Sequence, residues 1–190
     1  MFSLDLSQIR TPESRVERVW EAGQFEAEAD FRVAGQVSLA FEIFKSRPSH
    51  QKVTGGAGDR RVSGDLFRLE GRLQSVLELP CSRCLEPYAT PVDARFDLTY
   101  VPHADNAGEG EHELGQNELT TAYYENDTLD LGQLMREQFY LSLPMKPLCR
   151  DECRGLCPVC GTNLNRDACG CTRAWEDPRL AVLKTLKKDS

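Results

Sequence analysis

Phe67-Arg68-Leu69-Glu70-Gly71-Arg72-Leu73-Gln74-Ser75-Val76-Leu77-Glu78-Leu79 is the stretch that decides the fold class. Phe67, Leu69, Leu73, Leu77 and Leu79 fall on one side of it, and Arg68, Glu70, Arg72, Gln74 and Glu78 on the other. Successive side chains of a strand point to opposite faces, so this period of two predicts a strand with one face on a core and one in water. The same alternation runs through residues 92–100, where Val92, Ala94, Phe96, Leu98 and Tyr100 oppose Asp93, Arg95, Asp97 and Thr99. It recurs at 33–43 with Val33, Val37, Leu39, Phe41 and Ile43, and at 25–31 with Phe25, Ala27, Ala29 and Phe31. Half-buried strands of this kind belong to antiparallel sheets. Residues 1–24 carry no comparable pattern, although Arg15–Trp20 is compatible with a strand or a short helix.

Outward from these strands, two loops of opposite charge are expected. Residues 45–61 hold Lys45, Arg47, Lys52, Arg60 and Arg61 against a single acid, Asp59, and Pro48, Gly55, Gly56 and Gly58 mark a loop. Residues 102–127 hold Asp105, Glu109, Glu111, Glu113, Glu118, Glu125 and Asp127 with no Lys or Arg, which reads as a solvated run. Asp130 then suits a helix N-cap, with Gln133 three residues on as a capping-box partner. Leu131, Leu134, Met135 and Phe139 keep helical spacing, and Pro144 ends the helix. A last helix starts at Asp177-Pro178, with Leu180, Leu183 and Leu186 on one face and Lys184, Lys187 and Lys188 near its end.

The chain has 190 residues, of which 40% are apolar and 28% charged, enough for an ordinary globular core. No run approaches the ~18 uninterrupted apolar residues of a membrane span. The start, Met1-Phe2-Ser3-Leu4-Asp5-Leu6, lacks the basic and long apolar regions of a secretory signal, which implies the cytoplasm. The net charge of −7 argues against coating nucleic acid by bulk charge.

Eight cysteines stand out: Cys81-x2-Cys84, then Cys149-x3-Cys153-x3-Cys157-x2-Cys160-x8-Cys169-x-Cys171. In a reducing compartment such pairs bind metal rather than form disulfides. A C-x2-C turn converges two thiolates on one ion, and a tetrahedral Zn2+ takes four. The simplest partition is two zinc ions per chain, one on Cys157, Cys160, Cys169 and Cys171 and one on Cys81, Cys84, Cys149 and Cys153. The alternative is one site drawn from Cys149, Cys153, Cys157 and Cys160, with the others free. A closed four-thiolate site has no open coordination position, so its role is structural. The three histidines, His50, His103 and His112, all fall in the polar loops, and neither a nucleophile elbow nor a phosphate-cradling loop is present. Catalysis and a small-molecule substrate are not expected.

The expected architecture is α+β: an antiparallel sheet or partly open barrel-like body with one or two helices. Its divisions are a body over 1–145, a zinc-binding cysteine module over 146–173 and a C-terminal helix over 174–190.

Pro80-Cys81-Ser82-Arg83-Cys84-Leu85-Glu86-Pro87 and the following strand resemble the large ribosomal RNA subunit accumulation protein family, YceD. So do Leu143-Pro144-Met145, Gly155-Leu156-Cys157-Pro158-Val159-Cys160-Gly161-Thr162-Asn163-Leu164-Asn165, and Asp177-Pro178-Arg179-Leu180-Ala181-Val182-Leu183-Lys184. The resemblance implies a non-enzymatic cytosolic factor for accumulation or processing of 23S ribosomal RNA, and hence for large-subunit assembly. Within that frame Lys45, Arg47, Lys52, Arg60 and Arg61 are candidate phosphate contacts to ribosomal RNA or its precursor. The acidic 102–127 run would suit a basic ribosomal protein. A different class, a redox-switched holdase that loses zinc on oxidation, is compatible with the clustered thiolates.

Overall fold

The computed structural model describes residues 2–46, 64–102 and 120–171. Arg47, Lys52, Arg60 and Arg61, the three histidines and the helix expected from Asp177 lie outside the described residues. The strands are β1 (Ser3–Asp5), β2 (Glu13–Trp20), β3 (Arg32–Val33), β4 (Val37–Ser46), β5 (Leu66–Pro80), β6 (Pro87–Pro102), β7 (Thr121–Tyr124) and β8 (Thr128–Asp130). One α-helix among the described residues, α1 (Leu131–Ser142), follows β8 directly. The α+β class read from the sequence is the one observed.

Two compact units emerge. One contains the chain up to Leu79 together with Tyr88–Met145, and the other contains Pro80–Pro87 and the chain from Lys146 onward. The division expected at 145/146 is therefore crossed by a short excursion: the connection between β5 and β6 belongs with the cysteine-rich segment.

In the first unit the main sheet has the order β2-β4-β5-β6-β7, with β3 also pairing β5, and β1 and β8 form a separate antiparallel pair. The alternation in 67–79 does what period two requires. Phe67, Leu69, Leu73, Leu77 and Leu79 are buried, while Arg68, Arg72 and Gln74 are exposed. β4 runs antiparallel to β5 in a register that sets Leu39 opposite Leu73, Phe41 opposite Gly71 and Ile43 opposite Leu69. Gly71 lies where the Phe41 and Phe96 side chains approach each other, and an added Cβ would meet Phe96 Cζ and the Ala40 carbonyl at 2.6 Å. Between β3 and β4 the ladder bulges: Ala34 and Gly35 both donate to the Val76 carbonyl, at 2.8 and 3.1 Å.

On the water-facing side the polar residues pair across strands. Arg68 binds both carboxylate oxygens of Asp97, at 2.8 and 2.7 Å, and Arg72 does the same with Asp93. These guanidiniums hold the Asp93 and Asp97 carboxyls below the usual carboxylate range.

Helix α1 presents Leu131, Leu134, Met135, Gln138 and Phe139 to the core. Asp130 caps it, accepting from the Gly132 and Gln133 amides at 2.8 and 3.0 Å. The expected capping-box return from Gln133 is replaced by a bond from its Nε2 to Glu137 Oε1, at 3.0 Å. No helix among the described residues is long and apolar enough to cross a membrane.

Three expectations are corrected. Residues 25–31 are not a strand: only Arg32–Val33 pairs, and Phe25 and Phe31 instead meet Phe139 of α1 edge-on, with centroids 6.3 and 5.8 Å away. The tail of the acidic run is not a loop: Thr121–Tyr124 is β7, and it pairs parallel with β6. Lys45 is not a free loop cation. Its Nζ lies 2.7 Å from Asp65 and 5.5 Å from the centre of the Phe67 ring, with only 23% of its side chain exposed.

Candidate metal centre

The second unit is built on two turns of the same design. In Cys81-Ser82-Arg83-Cys84-Leu85-Glu86 the Cys81 amide donates to the Glu86 carbonyl and the Leu85 amide to the Cys81 carbonyl, both at 2.9 Å. In Cys157-Pro158-Val159-Cys160-Gly161-Thr162 the Cys157 amide donates to the Thr162 carbonyl at 2.8 Å, and the Gly161 amide to the Cys157 carbonyl at 2.9 Å. Each turn closes through a left-handed residue right after its second cysteine, Leu85 at φ 61° and Gly161 at φ 74°. Glycine takes this conformation freely, whereas a Cβ is crowded there. Leu85 is nonetheless used, with 65% of its surface exposed.

These turns gather the eight thiols into two tetrads, Cys81, Cys84, Cys149 and Cys153, and Cys157, Cys160, Cys169 and Cys171. Within each tetrad all four Sγ atoms lie within 4.8 Å of one another. Cys81 Sγ is 3.8 Å from Cys153 Sγ, and Cys84 Sγ is 3.8 Å from Cys149 Sγ. A tetrahedron with ~2.3 Å metal–sulfur bonds has an edge of ~3.8 Å, so the donor spacing fits a four-thiolate ion. The arrangement is the four-plus-four partition; the alternative site drawn from Cys149, Cys153, Cys157 and Cys160 is not assembled. The tetrads differ in exposure. Cys81, Cys84 and Cys153 are buried and Cys149 half-buried, whereas in the second tetrad only Cys157 is buried, and Cys160 and Cys171 are exposed.

Charge supports the same reading. Burial opposes ionisation of Cys81, but the backbone amides of Cys149, Cys84 and Arg83 outweigh it and bring its pKa down to about 6. In the second tetrad the Thr162 hydroxyl and amide, followed by the Cys157 and Cys171 thiols, bring Cys160 down to about 6. The partners move the other way. Burial, then the neighbouring Cys153, Cys84 and Cys81 sulfurs, push Cys149 up to about 12, and Cys160 followed by burial pushes Cys171 up to about 12. Protein donors alone favour partial ionisation of each tetrad; a bound cation is what would let all four sulfurs be thiolates together.

Polar groups surround the first tetrad. Arg83 Nη1 donates to the Cys153 carbonyl at 2.8 Å and to the Asp151 carbonyl at 3.4 Å. Asn165 Nδ2 lies 3.3 Å from Cys153 Sγ. Burial raises the Cys153 pKa, but the Asn165 amide and the Gly155 backbone amide overcome this and leave it lowered. Sequence reasoning picked out the ligands but not Arg83, Asn163 or Asn165. The signal available was the polar run Thr162-Asn163-Leu164-Asn165 right after the second turn, since Asn side chains commonly bond nearby backbone and thiolate groups. Of the five basic residues proposed to touch phosphate, only Lys45 falls among the described residues, and it is engaged by Asp65.

The fold and site define a class of β-rich protein with two four-cysteine clusters, each able to hold a metal ion. Residues 69–187 match the family described as large ribosomal RNA subunit accumulation protein YceD, and the chain belongs to that family. Among named relatives, the large ribosomal RNA subunit accumulation protein YCED homolog 1, chloroplastic, of Zea mays is 25% identical over 128 residues, covering 55% of this chain and 44% of that protein. An uncharacterized protein of Mycobacterium bovis is 33% identical over 105 residues, 54% of this chain and 47% of its own. The uncharacterized protein YlbN of Bacillus subtilis is 27% identical over 169 residues, 87% of this chain and 90% of its own. The chain spans about half the length of the first two. No solved structure matches it.

Proposed function

We propose that this protein acts, without catalysing a reaction, in the accumulation of large-subunit ribosomal RNA. The observation that carries the reading is the family match over residues 69–187, which spans both cysteine turns. Its two tetrads would each hold one Zn2+, through Cys81, Cys84, Cys149 and Cys153 and through Cys157, Cys160, Cys169 and Cys171. Four sulfur donors saturate a tetrahedral ion, so the metal stabilises the fold and leaves no position for substrate or water. The partner is ribosomal RNA or its precursor, met in the cytoplasm. Lys45, Arg47, Lys52, Arg60 and Arg61 supply the phosphate contacts, Lys45 from its place beside Asp65.

Depletion of the protein in cells is the test, with the ratio of large- to small-subunit ribosomal RNA as readout. The ratio is expected to fall and to recover with the wild-type chain. A chain with Arg47, Lys52, Arg60 and Arg61 all replaced by Ala should restore it poorly and lose ultraviolet crosslinking to large-subunit RNA. An unchanged ratio after depletion would remove the functional reading. Full rescue by the four-alanine chain would move the contact to a ribosomal protein.

A further inference from the structure

We propose that Asn165 is a positioning residue that couples the two tetrads, so that closing the second strengthens metal binding at the first. The inference rests on the metal reading above. Asn165 lies midway in the eight-residue loop between Cys160 and Cys169, both members of the second tetrad, yet its side chain serves the first. Its Oδ1 accepts from the Arg154 amide at 2.8 Å, which fixes the orientation of the carboxamide. Its Nδ2 then faces Cys153 Sγ at 3.3 Å and Asn163 Oδ1 at 3.0 Å. The Asn165 backbone amide also donates to Asn163 Oδ1, at 3.0 Å, so one Asn holds the other in place.

The loop that presents this side chain is secured in two ways. Backbone bonds run from Leu164 to the Gly155 carbonyl at 2.9 Å and from Arg166 and Asp167 to the Asn163 carbonyl at 3.1 and 3.0 Å. Its first end is held by the turn bonds between Cys157 and Gly161–Thr162, and its far end gains a tie to that turn when Cys169 shares an ion with Cys157, Cys160 and Cys171. With the second tetrad open, Asn165 has a wider range of positions, and ordering it on Cys153 carries an entropic cost. With the tetrad closed, that cost has already been met, and the amide donor is in place for the Cys153 thiolate. The Leu156 amide reaches the Arg83 carbonyl at 3.0 Å independently of Asn165, so cutting the Asn165 contact leaves another tie between the first cysteine turn and the segment leading into the second.

The test is a Co2+ titration of the full-length, reduced, metal-free protein, followed by sulfur-to-cobalt charge-transfer absorption and by native mass spectrometry of the zero-, one- and two-ion species. In the wild type the one-ion species should stay minor at one equivalent. In Asn165→Ala it should dominate, and affinity at the first tetrad should fall ~10–100-fold, the usual cost of losing an outer hydrogen bond to a ligand. In a Cys160→Ser/Cys171→Ser background, where the second tetrad cannot close, adding Asn165→Ala should change first-tetrad affinity little. This comparison separates coupling from general damage to the fold, and unchanged far-ultraviolet circular dichroism of each variant checks that the sheet is intact. A wild-type titration in which the sites fill independently, or an Asn165→Ala variant with the wild-type species distribution, overturns the inference while leaving the metal reading intact. Failure of the wild-type chain to take up Co2+ overturns both.

Discussion

Replacing Gly71 by Ala is expected to weaken the body by about 2 kcal/mol. At this point of β5 the sheet allows the Phe41 and Phe96 rings, with centroids 6.4 Å apart, to close over a position with no side chain. The new methyl would collide with Phe41 Cβ and would sit 2.6 Å from both Phe96 Cζ and the Ala40 carbonyl oxygen. Ordinary carbon contacts need ~3.5–4.0 Å, so a shift of roughly 1 Å is required. Phe96 can swing, but the Phe41 Cβ and the Ala40 carbonyl belong to the adjacent strand and move only with its backbone. Overpacking of this kind costs ~1–3 kcal/mol, and the backbone involvement places it at the upper end. Replacing Gly in a strand returns ~0.5–1 kcal/mol of conformational entropy, which leaves about 2 kcal/mol of net loss. Urea unfolding of the metal-loaded protein, followed by the signals of Trp20 and the sheet, would show a lower midpoint with an unchanged slope. Thermal unfolding would drop by ~8 °C at about 4 °C per kcal/mol. A midpoint equal to or above that of the wild type would refute the packing argument, since it would mean the space at Gly71 is larger than the register of β4 and β5 allows.

Ser75, whose buried hydroxyl has no hydrogen-bond partner among the described residues, should give a more stable protein when changed to Ala, by ~1 kcal/mol in the same urea assay. For Asp93 and Asp97 the sign follows from their lowered pKa: their contribution is complete above the ordinary carboxylate value of 3.8 and drains away as pH falls below it. The Asp93→Asn/Asp97→Asn variant should therefore lose less stability than the wild type between pH 4 and ~2 in acid titrations followed by circular dichroism. A chelator competing for the loaded protein should take the ion from Cys157, Cys160, Cys169 and Cys171 first, because two of those sulfurs are exposed, and time-resolved alkylation of released thiols, with peptide mapping of the modified cysteines, would read the order.

The parts of the fold legible in the sequence were those whose signal is local. Leu69, Leu73 and Leu77 declare a buried strand face by spacing alone, Asp130 declares a helix start by its position before Leu131, and the C-x2-C pairs declare their turns. What could not be read depends on partners far along the chain. Phe25 and Phe31 alternate as strand residues do, but their burial comes from Phe139, more than a hundred positions away, so the period appeared without a ladder. β7 is only Thr121–Tyr124, and its parallel neighbour is reached across a long connection, which leaves no hairpin signature. The tetrad partition was legible because Cys157 to Cys171 is compact in sequence, which leaves the other four cysteines to one another. Asn165 was not, because a single amide aimed at a sulfur has no periodicity to announce it.

Because the first tetrad takes two sulfurs from the turn between β5 and β6 and two from beyond α1, its members are separated by 65 and 72 positions. The second closes a loop of only ~15 residues. Cross-linking the longer loop removes ~1.4 kcal/mol more freedom from the unfolded chain than cross-linking the shorter one, since the entropy grows with the logarithm of loop length. The two centres therefore differ in what they do for a chain emerging from its own synthesis. The short loop can close as soon as its last cysteine is free. Yet the last cysteine of the long loop, Cys153, precedes the first of the short one, Cys157, so the long loop has all its sulfurs before the short one has any, and once closed it holds the β5–β6 turn to the segment that follows α1.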